Sequence, residues 1–208
     1  MQALEFINNI SQLQEKNLFL LYGEEHYLID QCKEALLKAF AIPFPEMNLA
    51  VLKENVIFAE VKNACLQAPC FADYRAVILE DVDVSEKTFS FEKILEVLPE
   101  QTKLVLYYSK KPDMRKAVYK EIKKKAVCAE GDSLKEDALL KWLISSAKKE
   151  GIRLAKPVAE LLIEICGSEM YALKNELEKL KYAQIFQPTE EDLRNIVAGS
   201  REYDIFNF

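Results

Sequence analysis

The 208 residues are half hydrophobic and 30% charged, enough apolar material for a packed core beneath a well-solvated surface. A formal net charge of −6 and a single histidine argue against a general nucleic-acid coat and against a zinc site, which needs four clustered nitrogen or sulfur ligands. Five cysteines, at 32, 65, 70, 128 and 166, are odd in number and form no Cys-x-x-Cys pair, so the sequence points to reduced thiols in a cytoplasm rather than a disulfide framework.

No apolar run approaches the ~20 residues of a membrane span, and Met-Gln-Ala-Leu-Glu-Phe-Ile does not read as a signal peptide. Leu4, Ile7, Ile10 and Leu13 outline a first short helix, and Leu18 to Leu21, ending in Tyr22-Gly23, a first buried strand. From Glu25 a helix carries Leu28, Cys32, Ala35, Leu36 and Ala39 inward until Pro43 and Pro45. Asn48 to Leu52 is a second strand. Phe58, Val61, Cys65 and Ala68 then recur at helical spacing until Pro69, whose ring disfavours the α conformation at Ala68. Tyr74 to Glu80 gives a third strand, with an unbroken apolar run from Ala76 to Leu79 that suits cover on both faces. A helix with Phe89, Ile94, Leu95 and Leu98 leads to Pro99, then a strand at Leu104 to Tyr108, a helix over Met114 to Lys124, and a short strand at Ala126 to Ala129. Alternating strands and helices predict an α/β domain, a parallel sheet flanked by helices.

After Gly131 the pattern becomes purely helical. Ser133 with Glu136 reads as a capping box ahead of Leu139, Leu140, Leu143 and Ala147, and Gly151 closes that helix. Pro157 opens the next, which ends at Gly167. Leu173, Leu177, Leu180 and Ala183 define a third; Thr189 and Asp192 start a fourth through Leu193, Ile196 and Val197. The chain therefore divides into residues 1–133, α/β, and 134–208, a small all-α bundle. Its apolar finish, Asp204-Ile-Phe-Asn-Phe208, suggests a fragment whose next domain is missing.

Four stretches bear on function. The loop after the first strand reads Gly23-Glu24-Glu25-His26-Tyr27, where a phosphate-binding loop needs Gly-x-x-x-x-Gly-Lys-Ser/Thr to aim backbone N–H groups and a lysine at a triphosphate. Two carboxylates there would repel the anion, and His26 reads as a polar helix terminus. Glu80 and Asp81 sit where an ATPase would hold magnesium, but without a phosphate loop they read as a solvated strand end. A basic stretch includes Lys110, Lys111, Arg115, Lys116 and the lysines up to Lys125; it is either a solvated face or a contact with DNA. Finally, Cys70 and Phe71 fall in the short connection before the third strand, where a phenylalanine either tucks under the sheet or projects as an anchor for another protein.

The segments Leu18-Phe-Leu-Leu-Tyr-Gly-Glu-Glu-His-Tyr-Leu-Ile-Asp30, Leu66 to Glu80, and Gly167-Ser-Glu-Met-Tyr-Ala-Leu-Lys-Asn-Glu-Leu-Glu-Lys-Leu180 resemble the delta subunit of the bacterial DNA polymerase III clamp loader, in that family's order along the whole chain. The resemblance implies a RecA-like AAA+ domain, a helical lid, and a carboxyl-terminal collar domain that this chain lacks. It implies a subunit of the polymerase holoenzyme with no catalysis and no cofactor, which binds the sliding clamp and holds one of its interfaces open for loading on primed DNA. Cys70 and Phe71 occupy the position of that family's hydrophobic wedge, with Cys70 smaller than the usual residue. Met170 stands where active clamp-loader ATPases place a lid arginine, and Ala126-Val127 replaces the Ser-Arg that they offer to a neighbour's ATP. Further partners implied are the other loader subunits, through the missing collar, and DNA within the assembled complex, with no membrane, and the fragment itself a cytoplasmic monomer. Two other readings stay open: a nucleic-acid-binding module using Lys110 to Lys125, and an NTPase with an unrecognised phosphate site.

Overall fold

The computed structural model describes residues 1–86 and 89–195. Ile196, Val197 and the terminal Asp204 to Phe208, read above as helix and apolar finish, lie outside the described residues. The chain forms two compact units that divide between Asp132 and Ser133.

In the first unit the strands are β1 (Leu18–Gly23), β2 (Leu49–Leu52), β3 (Arg75–Glu80), β4 (Thr102–Tyr108) and β5 (Val127–Gly131), and the helices are α1 (Ala3–Asn8), α2 (His26–Phe40), α3 (Pro45–Asn48), α4 (Phe58–Leu66), α5 (Phe91–Val97) and α6 (Ala117–Lys125). All neighbouring strands pair in parallel, in the order β2-β3-β4-β1-β5. Every consecutive pair of strands is joined through a helix, as parallel neighbours require. Because side chains alternate across a strand, Leu18, Leu20 and Tyr22 join Val77, Leu79, Leu104 and Leu106 in one core with Val61 and Cys65 of α4, Phe91 and Ile94 of α5, and Val118 and Ile122 of α6. Phe19 turns to the opposite face, where its ring meets Phe6 of α1 edge-on at 6.4 Å and Phe40 of α2 at 5.5 Å. Both faces of β1, β3 and β4 are thus buried, which is why these strands are continuous apolar runs.

The helix boundaries differ from the sequence expectations in physically simple ways. The first helix breaks into α1 and a 3-10 turn at Ile10–Gln12, and it is Ala3 and Phe6 that bury, with Leu4 and Ile7 at the margin. Helix α4 stops at Leu66, three residues before Pro69, because Gln67 is already extended (ψ 131°). Helix α6 starts at Ala117, three residues after Met114, because Asp113 Oδ1 accepts the Arg115 N–H (3.1 Å) and holds the chain in a turn.

The second unit contains α7 (Glu136–Lys149), α8 (Lys156–Cys166) and α9 (Met170–Tyr182), followed by helical residues 190–195. Leu139, Leu143, Leu162, Leu173, Leu177 and Leu180 form its buried interior. The capping box expected at Ser133 is not formed: Lys135 is the N-cap of α7 and no side chain caps it. Ala183 is the exposed C-cap of α9 rather than a core residue. Thr189 and Asp192 do form the reciprocal pair, Asp192 Oδ2 accepting the Thr189 N–H (2.8 Å) and Thr189 Oγ1 that of Asp192 (3.2 Å).

Candidate functional site

In parallel α/β sheets ligands gather beyond the carboxyl ends of the strands, so the Gly23 end of β1 is where a nucleotide would sit. Gly23 lies in register with Gly131 of β5, and a Cβ on Gly23 would stand 2.1 Å from the Gly131 carbonyl oxygen. The Glu25 N–H donates to that same oxygen (2.9 Å), which closes the turn onto β5. The Glu25 carboxylate then folds back and accepts the Tyr27 N–H (3.1 Å), so the start of α2 is capped by its own buried anion. A phosphate loop directs these donors outward; here they are spent within the chain. His26 is exposed at the first position of α2.

The strand-end carboxylates are likewise engaged. Glu80 receives Lys33 at 3.1 Å and Lys53 at 3.2 Å; burial raises its pKa, but the two ammonium groups outweigh that and hold the carboxyl below its ordinary range. Asp81 Oδ1 accepts the Ser109 N–H (2.7 Å). Among the described residues no group of His, Cys, Asp and Glu could hold a metal ion.

Part of the basic stretch is compensated. Lys111 pairs with Glu130 at 2.6 Å, Arg115 grips Asp113 through two bonds of 2.8 and 3.0 Å, and Lys116 meets Asp83 at 3.6 Å. Lys110 is exposed. In the second unit Met170 is fully buried at the start of α9, as a core residue.

At the opposite, amino end of the sheet, the connection between α4 and β3 carries the residue that the fold does not absorb. Phe71 is 86% exposed, well above every other described phenylalanine, and sits at φ +53°, a left-handed conformation unusual for a bulky side chain. Cys70 beside it is half-buried. The base of the connection is closed by Arg75, whose buried guanidinium donates to the Gln67 carbonyl (3.4 Å), and by Thr102 Oγ1, which donates to Cys65 O (2.8 Å). Its middle is held by the fully buried Asn48, the last residue of α3, whose side chain bonds both the N–H and the C=O of Cys70. Sequence reasoning placed Cys70 and Phe71 together; it missed Asn48, which it read as the first residue of a strand. The available signal was an amide directly ahead of an apolar strand, which periodicity alone does not distinguish from a turn residue.

The family model described as "DNA polymerase III, delta subunit" matches residues 19–131, more than half of the chain. No curated protein matches. Among solved structures, the DNA clamp loader delta protein of Bacillus subtilis is similar with a TM-score of 0.69 at 19% identity, over 94% of this chain and 62% of that one. This chain therefore spans less than two thirds of that relative's length. The RuvB Holliday junction branch migration motor of Thermotoga maritima is similar with a TM-score of 0.53 at 11% identity, over 96% of this chain and 68% of that one. Likenesses at such identities show the fold alone, a RecA-like AAA+ sheet followed by an all-α lid. Family match and architecture agree: the chain belongs to the DNA polymerase III delta subunit family.

Proposed function

We propose that this chain is a non-catalytic clamp-loader subunit that binds the sliding clamp through Phe71, with Cys70 beside it, and holds one clamp interface open for loading on primed DNA. The observation that carries this reading is the exposure of Phe71 on a turn tied down by hydrogen bonds from the buried Asn48, since an exposed aromatic on a rigid support is the anatomy of an interface anchor. Absence of hydrolysis is part of the proposal and is supported by the closure of the Gly23–Glu25 turn against Gly131. The other loader subunits and DNA would be met within the assembled complex. Direct DNA binding through Lys110, Lys111, Arg115 and Lys116 ranks second, because three of these cations already face carboxylates.

Titration of the chain into purified sliding clamp, without nucleotide, tests the proposal. Saturable binding that is indifferent to ATP is expected. No binding, or binding that requires ATP, would overturn it.

A further inference from the structure

Asn48 ends α3 with no exposed surface, and its carboxamide is matched atom by atom to two chain segments that meet beneath Phe71. Nδ2 donates to Pro43 O (2.8 Å) and to Cys70 O (2.9 Å), while Oδ1 accepts the Cys70 N–H (2.7 Å). This pattern fixes the orientation of the amide, since a flipped group would set its oxygen against two carbonyls and its nitrogen against an N–H. It also specifies asparagine. Aspartate has the same shape but no donors, and alanine removes the partner of two carbonyls and one N–H at a partly buried site.

The two segments joined in this way each contain a phenylalanine in the left-handed region, Phe44 at φ +49° and Phe71 at φ +53°. Such conformations cost free energy for a non-glycine residue and persist only where the surroundings over-determine them. Asn48 supplies that determination at Cys70, the residue adjoining Phe71, and on the other side at Pro43, the residue adjoining Phe44.

We infer that Asn48 is the positioning residue of the docking site, and that its buried carboxamide holds the Phe71 turn in its binding geometry before any partner arrives. The inference rests on the reading of Phe71 as the clamp contact. Its energetic logic is preorganisation: a loop already ordered in the free protein does not lose that freedom on binding, so affinity rises without any contact from Asn48 itself.

A double-mutant cycle tests it, with affinity for purified sliding clamp and thermal melting measured for the 208-residue chain, Asn48→Ala, Phe71→Ala and the double variant. Asn48→Ala is expected to weaken clamp binding about tenfold, and to change affinity by less than about twofold once Phe71 is already alanine. Equal losses in both backgrounds would show that Asn48 acts on the fold and not through Phe71, and would overturn the inference while the loss caused by Phe71→Ala alone still stood. If Phe71→Ala has no effect, the clamp reading itself fails. Amide hydrogen exchange on the unsubstituted chain gives a second measurement that needs no variant. The Cys70 N–H is expected to be protected in the free protein as well as in the complex; protection that arises only with clamp bound would overturn preorganisation.

Discussion

Replacing Phe71 separates docking from folding, because the side chain contributes almost nothing to the core. With 86% of its surface in water, Phe71→Ala removes little buried area, and folding stability should change by no more than about 0.5 kcal/mol. Phe71→Gly is also nearly neutral: relief of the left-handed φ of +53° offsets the greater freedom that glycine gives the unfolded chain, each effect on the order of 1 kcal/mol. The binding side is different. Burying a phenylalanine in an apolar pocket is worth about 1.5–3 kcal/mol, which corresponds to a loss of roughly ten- to hundredfold in clamp affinity for either variant. Calorimetry against purified clamp, paired with thermal melts of the same samples, reads both quantities. A folded Phe71→Ala protein that binds clamp as tightly as the parent would refute the reasoning, whatever its melting temperature.

Three further perturbations test other parts of the fold, each within its own unit. Gly23→Ala forces a methyl to within 2.1 Å of the Gly131 carbonyl, so β1 and β5 must part; we expect a loss of about 1–3 kcal/mol in denaturant unfolding, and unchanged stability would show that the turn is looser than described. Glu150 is held down to about 2 by hydrogen bonds from Lys174 and Lys181, both at 2.6 Å, which tie the end of α7 to α9. A depressed carboxyl stabilises the fold above its ordinary value, about 4.5, and loses that contribution as pH falls from there toward 2. Glu150→Gln should therefore cost roughly 1 kcal/mol at pH 7 and progressively less below about pH 4, whereas an equal cost at both pH values would contradict the assignment. Burial pushes the thiols of Cys32 and Cys65 up to about 12, so at pH 8 only roughly one molecule in ten thousand carries either thiolate; both should resist alkylation until the chain is unfolded, and rapid modification of the native protein would contradict their placement.

The sheet was legible because its signal is strong and local. Leu18 to Leu21, Ala76 to Leu79 and Leu104 to Tyr108 are apolar without interruption, and a strand buried on both faces leaves no other pattern. Helix ends were less legible, since they depend on single hydrogen bonds. Asp113 delays α6 through one Asx turn, and Lys135 rather than Ser133 stands at the N-cap of α7, neither of which periodicity reports. At the site, the adjacency of Cys70 and Phe71 was visible in one dimension, but the hydrogen bond that ties Cys70 to Asn48, 22 residues away, and the side of the turn on which Phe71 emerges were not. The altered phosphate loop was visible as two glutamates; that Glu25 satisfies the helix start from within became apparent only with the turn closed on Gly131.

The central claim of the proposed function is that this RecA-like fold acts through apolar contact at Phe71 and not through nucleotide chemistry. Its most direct test is the release of sliding clamp from closed circular DNA by this chain, measured with no nucleotide present. Release by the parent protein and its loss in Phe71→Ala are expected; release that requires ATP, or that survives the substitution, would contradict it.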